Sequence, residues 1–172
     1  MNRRKFLDTA SEFRSRGWQP ICIHQPSKYP QNFAWQKFSG RALTTRDIYE
    51  MADQYDDNTR GIGILTGAYS NLIVLDIDGE EGFAELEKSG IKLPDTVTVT
   101  TGRGKHYYFK YISDPAITNR ARYLNKVDIR TDGGLVVAPP TVHPIYRDWE
   151  TDRKSTRLNS SHSAKSRMPS SA

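Results

Sequence analysis

Three acidic residues and one basic turn are the parts of this 172-residue chain whose types and spacing could do chemistry. Asp76 and Asp78 stand in D-I-D, directly after the apolar run Leu72, Ile73, Val74, Leu75. On a strand, side chains alternate, so the two carboxylates share a face while Ile77 points away. Carboxylates that close repel, and one is driven toward its protonated form unless a cation lies between them. Hard divalent ions such as Mg2+ take oxygen ligands of this kind. Asp128, in V-D-I-R at 127–130, follows an apolar residue at the start of another predicted strand, with Arg130 two positions on. Between the two acidic pieces lies T-G-R-G-K-H at 101–106, where Gly102 and Gly104 flank Arg103 and are followed by Lys105 and His106. Such a turn offers backbone N–H groups and cations without bulky side chains, which suits a polyphosphate. Acids facing a basic, glycine-bearing turn are what a metal-bound nucleoside triphosphate requires.

Each piece alone has a plainer reading. G-R-G-K is not a P-loop, because the G-x-x-x-x-G-K-[ST] spacing is absent and no helix is expected after it. An isolated His106 is more often a surface or structural histidine. Asp128 could cap a turn or pair with Arg130, Arg103 and Lys105 could be solvated hairpin charges, and Asp76 and Asp78 could face water at a strand end. It is their joint order that points to a site.

The elements that must position these residues follow from periodicity. Phe6, Leu7, Ala10 and Phe13 have the spacing of one helix face over residues 3–16, with Gly17 as its stop. A strand is expected over 18–24 and an aperiodic loop, with Lys28 and Trp35, over 25–39. Thr44 or Thr45 caps a second helix reaching about residue 55. A short strand at 61–65 precedes the central acid-bearing strand at 71–79 and a helix at 80–89 with Phe83 and Leu86 inward. Alternating Thr and Val at 96–101 and H-Y-Y-F-K-Y at 106–111 form an antiparallel hairpin through the glycine turn. Residues 112–126 read as irregular, with further short strands at 127–130, 135–138 and 146–150. Few helices against many short strands imply an α+β fold with a largely antiparallel or mixed sheet.

Composition narrows the function classes. The length is that of one domain, and Cys22, the single cysteine, sits in an apolar run and can form neither an internal disulfide nor a cysteine-rich zinc site. No stretch approaches the ~20 apolar residues of a membrane span, and the start M-N-R-R-K lacks an apolar signal core, so a soluble, cytoplasmic protein without membrane partners is expected. The net charge of +5 is concentrated late in the chain. Without the five basic residues and one acid of 152–172, twenty basic and nineteen acidic residues remain, so overall charge does not argue for nucleic acid. Residues 152–172 resemble the in-frame translation of a sequencing adapter. They are set aside from fold and function, which leaves 1–151 as a catalytic domain truncated at its C-terminal edge.

From about residue 17 to residue 149 the chain resembles the bifunctional primase/polymerase N-terminal (prim-pol) domain of the archaeo-eukaryotic primase superfamily, found in plasmid, phage and mobile-element replication proteins. The similar pieces, in order, are K-Y-P at 28–30 with Trp35, G-I-G-I-L-T-G at 61–67, L-I-V-L-D-I-D-G at 72–79, L-P-D-T-V-T-V-T-T-G-R-G-K-H-Y-Y-F at 93–109, and V-D-I-R-T-D-G-G-L-V-V-A-P-P-T-V-H at 127–143. The resemblance implies a primase catalytic core, an α/β lobe packed on an RRM-like lobe with the site between them. It implies that Asp76, Asp78 and Asp128 hold two Mg2+ or Mn2+ ions, and that His106, with Gly104 two positions before it, belongs to a nucleotide-binding motif. Arg103 and Lys105 would then lie near the phosphates and Arg130 and His143 at the rim. The implied partners are a single-stranded DNA template, NTP or dNTP, and an accessory or helicase region in a longer gene product. The glycine that the family places before its terminal aromatic pair is missing, with Pro144 and Ile145 there instead, and Thr141 replaces a common Ser.

Two rival readings use the same residues. L-I-V-L-D-I-D-G also resembles the nucleophile motif of haloacid-dehalogenase-type phosphatases, in which Asp76 would attack phosphorus and Asp78 act as general acid. Glu80 replaces the usual Thr or Val there, and the later motifs of that family do not follow in order. A non-catalytic nucleic-acid-binding module could stack bases on Tyr107, Tyr108 and Phe109. Aromatics alternating on a strand more often fill a core, and three acids would repel a nucleic acid.

Overall fold

Residues 1–141 are described by a computed structural model. The strand expected at 146–150, His143 and the adapter-like stretch lie outside the described residues. The elements run α1 (Arg3–Ser15), β1 (Gln19–His24), α2 (Thr45–Ala52), β2 (Arg60–Leu65), β3 (Leu72–Asp78), α3 (Gly79–Lys88), β4 (Val97–Thr100), β5 (Gly104–Lys110), β6 (Arg120–Leu124), β7 (Val127–Arg130) and β8 (Leu135–Val137). Local chemistry sets the helix starts. The Asn2 side chain accepts from the Lys5 N–H at 2.8 Å and opens α1, whose Phe6, Ala10 and Phe13 form one buried stripe. Thr44 and Asp47 form a reciprocal capping box at α2, and the Arg41 guanidinium donates to both Asp47 oxygens at 2.7 and 2.8 Å.

The strands form two sheets, three-stranded β1-β2-β8 and five-stranded β4-β5-β3-β7-β6, and every pairing among these strands is antiparallel. The α+β expectation is met. Helices α1 and α2 pack on β1 and β2, whose residues are buried almost throughout because both faces are covered. Cys22 is fully buried in this core, and burial pushes its thiol up to about 12. Val74 and Tyr108 of the larger sheet join the same core, Tyr108 meeting Trp18 edge-on at 5.3 Å. The opposite face of the larger sheet, with Leu75, Ile77, Tyr107 and Val127, packs against Phe83 and Leu86 of α3.

The chain crosses from the small sheet to the large one between Leu65 and Leu72, and back between Arg130 and Leu135. Both crossings lie at one end of the molecule, because β3 begins where β2 and β7 finish. They are stitched together there. The Thr66 hydroxyl donates to the Thr131 carbonyl at 2.6 Å, while Asp132 accepts from the Ala68 N–H at 2.9 Å and from the Tyr111 hydroxyl at 2.6 Å. The other end gathers the exits of β1, β3 and β8 with the starts of β5 and β7.

Two expectations differ. The loop at 25–39 contains a 3-10 turn, Trp35–Phe38, because Trp35 and Phe38 both plug into the main core, a tertiary effect with no sequence period. Within 112–126, expected to be irregular, lies β6. It is an exposed edge strand whose register with β7 shifts between Arg120 and Leu124, so no apolar alternation marks it.

Candidate active site

In the five-stranded sheet, Asp76 of β3 is the direct partner of His106 on β5 and of Asp128 on β7. Direct partners share a face and place their Cβ atoms about 5 Å apart, so His106, Asp76 and Asp128 form one row across three adjacent strands. Asp78 lies on that face two residues further out, where β3 ends. The row is turned toward the small sheet, since Val74 and Tyr108, on the same face one step inward, belong to the core shared with it. The acids therefore emerge from the interior at the end of the molecule where β1 and β8 also finish.

The glycine turn reaches them by close approach. A Cβ on Gly104 would stand 1.7 Å from the Ile77 carbonyl oxygen, so only glycine lets β5 begin beneath the exit of β3. The Gly79 N–H donates to the Arg103 carbonyl at 2.6 Å and fixes the turn beside Asp78. Its N–H groups are largely internal, however. Arg103 and Gly104 both donate to the Thr101 hydroxyl, at 3.3 and 3.0 Å, so the turn offers a ligand its side chains more than its backbone.

His106 is almost fully buried, with Nε2 3.3 Å from Asp76 Oδ1 and Nδ1 without a hydrogen-bond partner among the described residues. Tyr108 lies behind it, its ring stacked at 6.4 Å and its hydroxyl also unpartnered among these residues. Burial, and secondarily the Asp76 charge, holds the Tyr108 hydroxyl well above the usual tyrosine range. Tyr108 is buried and so is not available to stack a base, while Tyr107 and Phe109 on the opposite face are half-buried.

Asp128 is held more closely than the other acids. Its Oδ1 accepts the Arg122 N–H at 2.7 Å and its Oδ2 pairs with the Arg130 guanidinium. Lys105 is the direct partner of Ile77, on the face opposite the acids, and its ammonium lies 5.9 Å from the Phe83 ring centroid. Arg103 remains beside the acids, and a second cation joins it that carried no assigned role in the sequence. Lys28, at φ 60°, sits in the loop after β1, where its N–H donates to the His24 carbonyl at 2.8 Å. Desolvation, then the Arg103 charge, lowers its ammonium pKa, opposed by the charges of Asp78 and Asp76. Its signal in the sequence is its place in K-Y-P at 28–30, the first of the pieces that resemble the prim-pol family.

The donor set is carboxylate oxygen throughout, the kind of ligand that a hard divalent cation takes, and it lies on one face of the sheet. Among the described residues no group of three or more acidic, histidine or cysteine side chains is drawn together closely enough to hold an ion, consistent with the engagement of Asp128 by Arg130. Asp76 and Asp78, with Asp128 beside them in the row, are the residues that would hold such an ion.

Two antiparallel sheets thus bring acids, a buried histidine and a cation to one end of the described residues. The chain belongs to the bifunctional DNA primase/polymerase N-terminal family, whose model matches residues 10–165. The match begins within α1 and extends into the adapter-like stretch. No curated protein matches the chain. No described helix is long and apolar enough to cross a membrane.

Proposed function

We propose that this domain catalyses metal-dependent, template-directed nucleotidyl transfer from NTP or dNTP, as the catalytic part of a replication protein of a plasmid, phage or other mobile element. The observation that carries this reading is the row His106–Asp76–Asp128, with Asp78 at its edge, on the face of the large sheet turned toward the small one. Lys28 and Arg103 bind and orient the triphosphate. His106, set against Asp76 and walled in by Tyr108, steadies that carboxylate and excludes water on the inner side of the row. Two Mg2+ or Mn2+ ions, when bound, supply the charge that offsets the triphosphate and favours an ionised 3′-hydroxyl. The template is single-stranded DNA, and an accessory or helicase region belongs to the longer gene product.

The test is incorporation of labelled nucleotides by the full chain on a primed single-stranded DNA with Mn2+ or Mg2+. Asp76→Asn/Asp78→Asn is expected to lower incorporation at least about a thousandfold, because removing preorganised charge from such a site has effects of that order. Incorporation that persists in the double variant, or in EDTA, rejects the reading.

A further inference from the structure

The three acids of the row are engaged unequally. Asp78 has no side-chain hydrogen bond among the described residues, since the cap of α3 that it begins is not closed by its carboxylate. Asp76 offers one oxygen to His106. Asp128 has both oxygens committed to protein donors, one of them a full positive charge. The two donors differ in kind. The Arg122 N–H is fixed by the backbone, in a residue at φ 56° where β6 slips register against β7. The Arg130 guanidinium is carried on a long, rotatable side chain and makes no other hydrogen bond to the described residues. Arg130 is also the direct partner of Val74, one step inward from the Asp76–Asp128 pair and on the same face, so a small rotation takes its head group along the row without unpairing a strand.

From this we propose that Arg130 is a built-in competitor for the third acid. A divalent cation gains Asp128 only as Arg130 leaves it, and the Asp76–Asp78 end of the row loads first. The proposal rests on the metal-dependent reading above. Its physical content is mutual exclusion: a carboxylate held by a guanidinium is competent for an ion only in the fraction of molecules where the pair is open, and the apparent affinity falls by that fraction. Arg130 thereby acts as a positioning residue. It keeps Asp128 aligned in the row and delays completion of the cation site.

The experiment is titration of the full chain with Mn2+ in the absence of nucleotide, followed by calorimetry and by electron paramagnetic resonance of the free ion. Arg130→Met is expected to tighten binding about fivefold or more, within the usual range of coupling between two sites. Arg103→Met removes an equal charge that is not paired with Asp128, and is expected to change it far less. Adding Asp128→Asn to Arg130→Met is expected to abolish the gain. An independent readout needs no substitution: on addition of Mg2+ to the wild-type chain, the Arg130 Nε–H resonance is expected to shift with the saturation curve of the weaker ion. Equal gains from Arg130→Met and Arg103→Met, or an Arg130 resonance indifferent to Mg2+, would overturn the exchange and leave the metal-dependent reading standing. A wild-type chain that binds no Mn2+ by either method would overturn both.

Discussion

Lys28 meets the acids from across the molecule. It rides on the smaller sheet while Asp76, Asp78 and Arg103 belong to the larger one, and their charges act on its ammonium together. A side chain placed so would grip the triphosphate without touching the reacting atoms. Lys28→Ala is therefore expected to raise the nucleotide KM about tenfold, the magnitude of one charge-assisted contact, with kcat little changed. Lys28→Arg is expected to restore most of the loss, and steady-state kinetics at saturating template would separate the two parameters. At this scale the sequence was partly legible. The facing of Asp76 and Asp78 follows from strand alternation, whereas Lys105, expected near the phosphates with His106, lies on the opposite face. Lys28 had no such rule behind it, because a loop without a period says nothing about where its side chains end up.

Helices with local signals were the easiest elements to read. The second helix declares itself through Thr44 and Asp47, and its cap has a testable pH signature. The Arg41 guanidinium beside Asp47, helped by hydrogen bonds from Thr44, holds that carboxyl far below the ordinary carboxylate range. A depressed folded-state pKa contributes stability that is fully present above the unfolded value, about 3.9 for Asp, and is lost as pH falls through the folded one. Asp47→Asn is accordingly expected to lower Tm by a few degrees at pH 7. The gap to the wild type should close progressively below about pH 4, where the unfolded chain takes up a proton that folded Asp47 still refuses. Thermal melts across that range would show it, and a gap that stays constant would rule it out. The acid-bearing strand and the hairpin were legible for another reason: apolar run and alternation are direct imprints of burial on two faces and on one. Edge strand β6 faces solvent along most of its length, and the turn at Trp35–Phe38 exists only because the core accepts its aromatics. Neither leaves such an imprint.

Among the described residues, two sheets are joined at one end by both crossings, and the acids lie at the other end. Gly67 sits in the first crossing at φ 105°, and a Cβ there would stand 2.7 Å from the Asp132 Cα of the second. Gly67→Ala should force the crossings apart at a cost of about 2 kcal/mol, a fall in Tm of roughly 4–8 °C. Because that end sets the angle between the sheets, the nucleotide KM should rise too, although the substitution lies at the far end from Lys28. A variant with lowered Tm and unchanged KM would show that the sheets are aligned by their core alone. The crossings also fix an order of events during synthesis. Strand β2 has β1 beside it early, and β3 gains β5, but the second neighbour of each is supplied only by β8 and β7, the last two strands described. Until residues 127–137 leave the ribosome, both central strands keep a bare hydrogen-bonding edge, the kind of edge that pairs with other chains. The peptide that ends that exposure is the same one that brings in Asp128.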